Sequence, residues 1–235
     1  MAVRSVALKK QQPAFENDQQ LFDTHPEVRL DFDRVRGALK EGYTKPFLLV
    51  DTQIVRTKAR RFKAAMPRVH PHYAVKANPN PRVLKALIEE GVGFEIASIA
   101  ELVNHGIRDI PQSVRIMAEP GRFLVSDAGY FVCRVVGTAT RGGKRWMYWD
   151  AGVFGGVIET TEGLRYDIHT DRTGKVIPWC IAGPTCDSVD VCMRYEMFPE
   201  DMQEGDFIYI ANAGAYTTAY ASNFNGFPLP DVRVI

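Results

Sequence analysis

No stretch of this sequence approaches the roughly 20 apolar residues a membrane-spanning helix needs, so a bilayer-embedded protein is not expected. The first residues, 1–13, carry Arg4, Lys9 and Lys10 but no apolar run of the kind a signal peptide requires. Cysteine is scarce. Cys133, Cys180, Cys186 and Cys192 form no C-x-x-C pair and do not resemble a secreted disulfide framework, which points to a reduced, cytoplasmic setting. An excess of one charge is missing too. Twenty-nine basic residues against 28 acidic ones give a formal +1, so neither nucleic acid nor an anionic membrane is an expected partner. Internal repeats and low-complexity segments are also absent. What remains is an ordinary globular composition, 46% hydrophobic and 24% charged, in 235 residues. That is enough for one large domain or two small ones with a real core.

The chain divides by texture. Residues 1–45 are a polar lead-in with one short helix near Val35–Leu39. Pro46–Asp51 predicts an apolar strand, Thr52–Met66 a basic helix, and 69–78 a second strand. Asn80 and Pro81 suit N-cap and N1 of a helix whose stripe is Val83, Leu84, Leu87 and Ile88, with Gly91 at C′. Gly93–Ala97 predicts a third strand, and Ser98 with Glu101 a capping box for a helix that ends at Gly106. This alternation argues for parallel strand–helix units over 46–122. After Pro111 the helical stripes fade. Val114–Ala118 is strand-like, Glu119–Arg122 breaks it, and Tyr130–Thr140, a turn at 141–144 and Arg145–Asp150 predict a hairpin. Val176–Ala182, Ser188–Arg194 and Asp206–Ala211 are further predicted strands, so 123–235 is expected to be mainly β.

The stretch with the most chemistry is His72-Tyr73-Ala74-Val75-Lys76-Ala77-Asn78. On a strand, alternation would set His72, Ala74, Lys76 and Asn78 on one face. Taken alone, Lys76 reads first as a lysine snorkelling from a strand end, and the alternative is an amine in a confined site whose pKa is lowered by desolvation and which is freed for Schiff-base chemistry. One by one, the other candidates also read first as structure. Glu119-Pro120-Gly121-Arg122 is also a plausible β-turn with a surface ion pair, and Asp187-Ser188 plausible turn chemistry. Cys186 also suits a small core position, Tyr216 a packing tyrosine, and Phe224-Asn225-Gly226 an aromatic-capped turn.

Together these segments resemble one family. Tyr73–Asn78, Phe94–Ser98 with Glu101, Glu119–Arg122, Gly183–Ser188 and Gly214–Thr217 occur in the order seen in the pyridoxal-phosphate decarboxylases of the ornithine/diaminopimelate/arginine group. The resemblance implies an alanine-racemase-like α/β barrel followed by a β-domain. It implies pyridoxal phosphate as cofactor, with Lys76 carrying it covalently and Glu119 facing its pyridine nitrogen. Arg122 and Tyr216 match phosphate contacts, a role for which a guanidinium fork is geometrically suited. Cys186 matches the residue that returns a proton to the α-carbon, and Asp187 the one that holds a distal ammonium. Glu95 matches an acidic residue near the lysine, and Phe224-Asn225-Gly226 resembles a family segment near the substrate pocket. Aspartate after the cysteine is similar to the ornithine or lysine branch, where a short carboxylate meets a lone ammonium. The implied reaction is L-ornithine to putrescine, a step of polyamine biosynthesis, in a homodimer with a shared active site. Lysine decarboxylation, a non-catalytic regulatory or binding relative, and an amino-acid racemase are the alternatives.

The sequence departs from that family in one respect. A full eight-unit barrel takes about 250 residues, yet Pro46–Arg122 spans 77, and about four units are missing from its middle. The family's ring-stacking histidine and glycine-rich phosphate loop belong to that part. His25, His70, His72, His105 and His169 do not match the stacking position, and Gly142-Gly143 and Gly155-Gly156 fall in the β region. The expected fold is therefore a truncated α/β barrel over 46–122 and a mainly β domain over 123–235.

Overall fold

A computed structural model describes residues 31–40, 42–95 and 116–235. Asp31 accepts from the Asp33 N–H and so caps α1 (Phe32–Leu39), which buries Val35 and Ala38 and lays Phe32 edge-on against Tyr209. β1 (Phe47–Val50) is wholly buried, and Asp51 then caps α2 (Thr52–Ala65) by accepting from the Gln53 N–H at 2.7 Å. β2 (Val69–Ala74) leads through a 3-10 turn into α3 (Pro81–Glu89). There Asn80 and Pro81 fill the cap and first position, and Gly91 takes φ +67° at C′. β3 (Gly93–Glu95), β4 (Ile116–Ala118) and the short α4 (Arg122–Val125) complete this half.

β5 (Gly129–Arg141) and β6 (Lys144–Trp149) form the expected hairpin. Gly142 and Gly143 both take positive φ, as a two-residue turn matched to strand twist requires. β7 (Asp167–Thr170), β8 (Val176–Ala182), β9 (Met193–Pro199), β10 (Phe207–Ala211) and β11 (Asp231–Val234) follow. One large sheet runs β11-β1-β5-β6-β8-β9, with β10 pairing both β5 and β7. β1–β11 and β6–β8 are parallel, and the other pairs of this sheet are antiparallel. A small parallel sheet runs β3-β2-β4. A single buried cluster extends from Val35 through Leu48, Leu87, Phe131 and Trp149 to Ala215.

Three expectations are corrected. The strand over 69–78 ends at Ala74, so Lys76 sits in a 3-10 turn and not on a strand face. The strand over Pro46–Asp51 forms, but its neighbours are β5 and β11 of the large sheet. Ser188–Arg194 is mostly loop, because Asp190 folds the chain back on itself before β9 begins at Met193. β7, β11 and the helical turns over 153–162 carry no expectation to compare, and the helix over Ser98–Gly106 lies outside the described residues.

Candidate functional site

The turn that carries Lys76 is clamped from both sides. The Tyr73 hydroxyl donates to the Asn78 carbonyl at 3.1 Å, and the Asn78 amide donates to the Gly214 carbonyl at 2.9 Å. The Tyr216 N–H donates to the Ala77 carbonyl at 2.9 Å. These bonds satisfy the backbone that leaves β2, and they explain why the strand stops there. Gly214 can enter this corner only without a side chain, since a Cβ would lie 1.8 Å from the Val125 carbonyl oxygen. Lys76 itself is exposed, and among the described residues its amine makes no hydrogen bond or ion pair.

Glu119–Arg122 arrives beside this turn at the end of β4. A Cβ on Gly121 would lie 3.2 Å from the Ala77 Cβ and 3.3 Å from both the Ala74 Cβ and the Tyr216 Oη. Glycine thus lets the Glu119 segment, the Lys76 turn and Tyr216 converge. One Glu119 carboxylate oxygen is buried and, among the described residues, has no hydrogen-bond partner. The Arg122 guanidinium lies 5.0 Å over the Tyr216 ring and pairs with Glu159. Burial pushes the Tyr73 and Tyr216 hydroxyls above the usual phenol range, so both are neutral donors at neutral pH. An amine, a carboxylate with an unused oxygen, a guanidinium and a phenol suit a small ligand with an anionic end and a ring donor.

Cys186, Asp187 and Phe224 form a second group. Cys186 is exposed in a loop held by Asp190, which is buried and accepts from the Thr185 N–H at 3.0 Å, the Thr185 hydroxyl at 2.6 Å and the Val153 N–H at 2.7 Å. Asp187 accepts from the Val189 N–H at 2.8 Å. The Asn225 amide donates to the Thr185 carbonyl at 2.9 Å, and Phe224 lies against Phe154 with ring centroids 4.4 Å apart. Among the described residues no hydrogen bond, ion pair or ring contact joins Cys186 or Asp187 to Lys76. Cys186, Tyr216 and Asn225 all take positive φ without being glycine. Such backbone strain persists only where the surroundings impose it, and it gathers at binding sites.

The segment 150–159 links the two groups: Val153 and Phe154 touch the second, and Glu159 the first. Neither Glu159 nor Asp190 stands out in the sequence, because their partners are set by the fold and not by spacing. Glu95 lies at the end of β3, level with Ala74.

The family model described as "Pyridoxal-dependent decarboxylase, C-terminal sheet domain" matches residues 34–214. The lysine/ornithine decarboxylase of Selenomonas ruminantium is 33% identical over 60% of this chain and 36% of its own length. The ornithine decarboxylase of Schizosaccharomyces pombe is 33% identical over 60% of this chain and 37% of its own. This chain thus spans about a third of the length of the curated relatives it matches. The lysine/ornithine decarboxylase of Vibrio vulnificus, solved with cadaverine, superposes with a TM-score of 0.77 at 20% identity. That superposition covers 88% of this chain and 99% of that one. The SrLDC structure solved with pyridoxal phosphate and cadaverine gives the same TM-score at 19% identity, over 88% of this chain and 94% of that one.

Proposed function

From the premise that the chain belongs to the pyridoxal-dependent decarboxylase family, we propose that it removes the α-carboxylate of a basic amino acid, converting L-ornithine to putrescine in the cytoplasm. The observation that carries this reading is the buried Glu119 oxygen, unpartnered among the described residues, in the segment whose Gly121 packs against the Lys76 turn and Tyr216. An unsatisfied buried carboxylate is costly, and a protonated ring nitrogen would satisfy it.

Pyridoxal phosphate, when bound, supplies the electron sink for the pair left behind as carbon dioxide departs. Lys76 would hold its aldehyde carbon, Glu119 would keep a proton on its ring nitrogen, and Arg122 with Tyr216 would hold its phosphate. Asp187 would take the distal ammonium of the substrate, Phe224 would wall the aliphatic chain, and Cys186 would deliver a proton from Sγ to the α-carbon. Among the described residues, no hydrogen bond or ion pair joins Cys186 or Asp187 to the Lys76 of their own chain. That suits a homodimer in which they face the Lys76 of the partner.

The strand order supports a shortened barrel. In a closed barrel the last strand pairs with the first, and here β4, carrying Glu119, pairs directly with β2, which leads to Lys76. The first, second and last strands of such a barrel would give the observed order β3-β2-β4. A shortened barrel also motivates the second reading, a non-catalytic relative that binds a partner through this scaffold. Carbon dioxide release with added pyridoxal phosphate separates the two. Ornithine is expected to be the fastest substrate, ahead of lysine and diaminopimelate, and Lys76→Ala to be inactive. No release from any of the three would favour the binding protein.

A further inference from the structure

Arg122 is a flexible, half-exposed side chain, yet it is held in one place from two directions. The Tyr216 ring lies beneath its guanidinium at 5.0 Å, and Glu159 takes a hydrogen bond from one terminal nitrogen. Glu159 is itself fixed. Its side chain is 13% exposed, and its second oxygen accepts from the Tyr166 hydroxyl at 3.4 Å. Burial beside this carboxylate pushes the Tyr166 hydroxyl well above the usual phenol range, so it stays a donor. Tyr166, Glu159, Arg122 and Tyr216 therefore form a chain of contacts running towards the Lys76 turn.

A guanidinium has five donors in a rigid fork. The bond to Glu159 uses one terminal nitrogen, and among the described residues the other donors of the fork make no hydrogen bond. We infer that Glu159 is a positioning residue: it orients Arg122 so that the free edge of the fork meets the cofactor's phosphate. The inference rests on the cofactor reading above and adds to it a residue 37 positions along the chain from Arg122. Its effect is confined to the phosphate, because Glu159 acts only through the group that binds phosphate.

Titrating the protein with pyridoxal phosphate and with pyridoxal, which lacks the phosphate, tests this through visible absorbance without any turnover. Glu159→Ala is expected to weaken pyridoxal phosphate binding by about tenfold, the scale of one charge-assisted hydrogen bond, and to leave pyridoxal binding unchanged. Glu159→Gln still accepts a hydrogen bond from Arg122 and should stay within about threefold of the parent by the same reasoning. In an Arg122→Ala background, Glu159→Ala should have no further effect. Equal weakening towards both ligands would mean that Glu159 merely supports the fold, and unchanged or tighter phosphate-ligand binding would also overturn the inference. Failure of the parent protein to bind either ligand would instead overturn the cofactor reading and this inference with it.

Discussion

Among the cysteines, Cys133, Cys180 and Cys192 lie in the core, and only Cys186 is exposed. Burial holds the Cys133 thiol well above its ordinary range and pushes Cys192 up to about 12. The thiolate is the nucleophile that attacks a thiol reagent, so Cys133 and Cys192 are protected by both access and protonation, and Cys180 by its burial. Native protein at about pH 8, near the ordinary cysteine pKa, is expected to give one fast-reacting thiol per chain, and Cys186→Ser none. Two or more fast thiols in the parent protein would contradict the burial described here. The same exposure is what a proton donor must have if it serves a site completed by another chain. It is not legible in the sequence, where Cys186 taken alone reads first as a small core residue.

At the scale of elements, the loop over 183–190 is organised by one carboxylate. Asp190 receives three hydrogen bonds, and neither Gly152 nor Gly183 leaves it any slack: a Cβ at either would lie 2.1 or 2.4 Å from its oxygens. Asp190→Ala leaves three buried donors unpaired and is expected to cost about 3 kcal/mol. Urea denaturation would show this as a lower midpoint, and an unchanged midpoint would refute the role given to Asp190. The same carboxylate explains why a strand over Ser188–Arg194 was expected and did not form. The apolar alternation of Val189, Val191 and Met193 is visible locally, whereas the Asp190 contacts to Thr185 and Val153 are not. Where the signal is local, expectation and structure agree: the Asn80–Pro81 helix start, the Gly91 stop and the Gly142-Gly143 hairpin are each set by neighbours in sequence. Lys76 is the intermediate case. Its place among the family's motifs is readable in the sequence, but its turn is not, because Gly214 and Tyr216 impose it from far along the chain.

Over the whole molecule, the pattern of a mainly α/β part followed by a mainly β part was legible in the change of periodicity. The pairing of β1 with β5 and β11 was not, because a fully buried apolar strand carries no mark of which sheet it joins. The small parallel sheet leaves β3 and β4 each with one strand partner among the described residues, and unpaired parallel edges favour association. A dimer is accordingly expected by light scattering at micromolar concentration. A monomer mass under those conditions would count against a site shared between chains. The claim on which the functional account stands is that the Lys76 amine carries pyridoxal phosphate. Borohydride reduction of the protein loaded with pyridoxal phosphate, followed by peptide mass mapping, tests it most directly. The account predicts one pyridoxyl group per chain, on Lys76, and none in Lys76→Ala; label spread over surface lysines, with Lys76 unmodified, would contradict it.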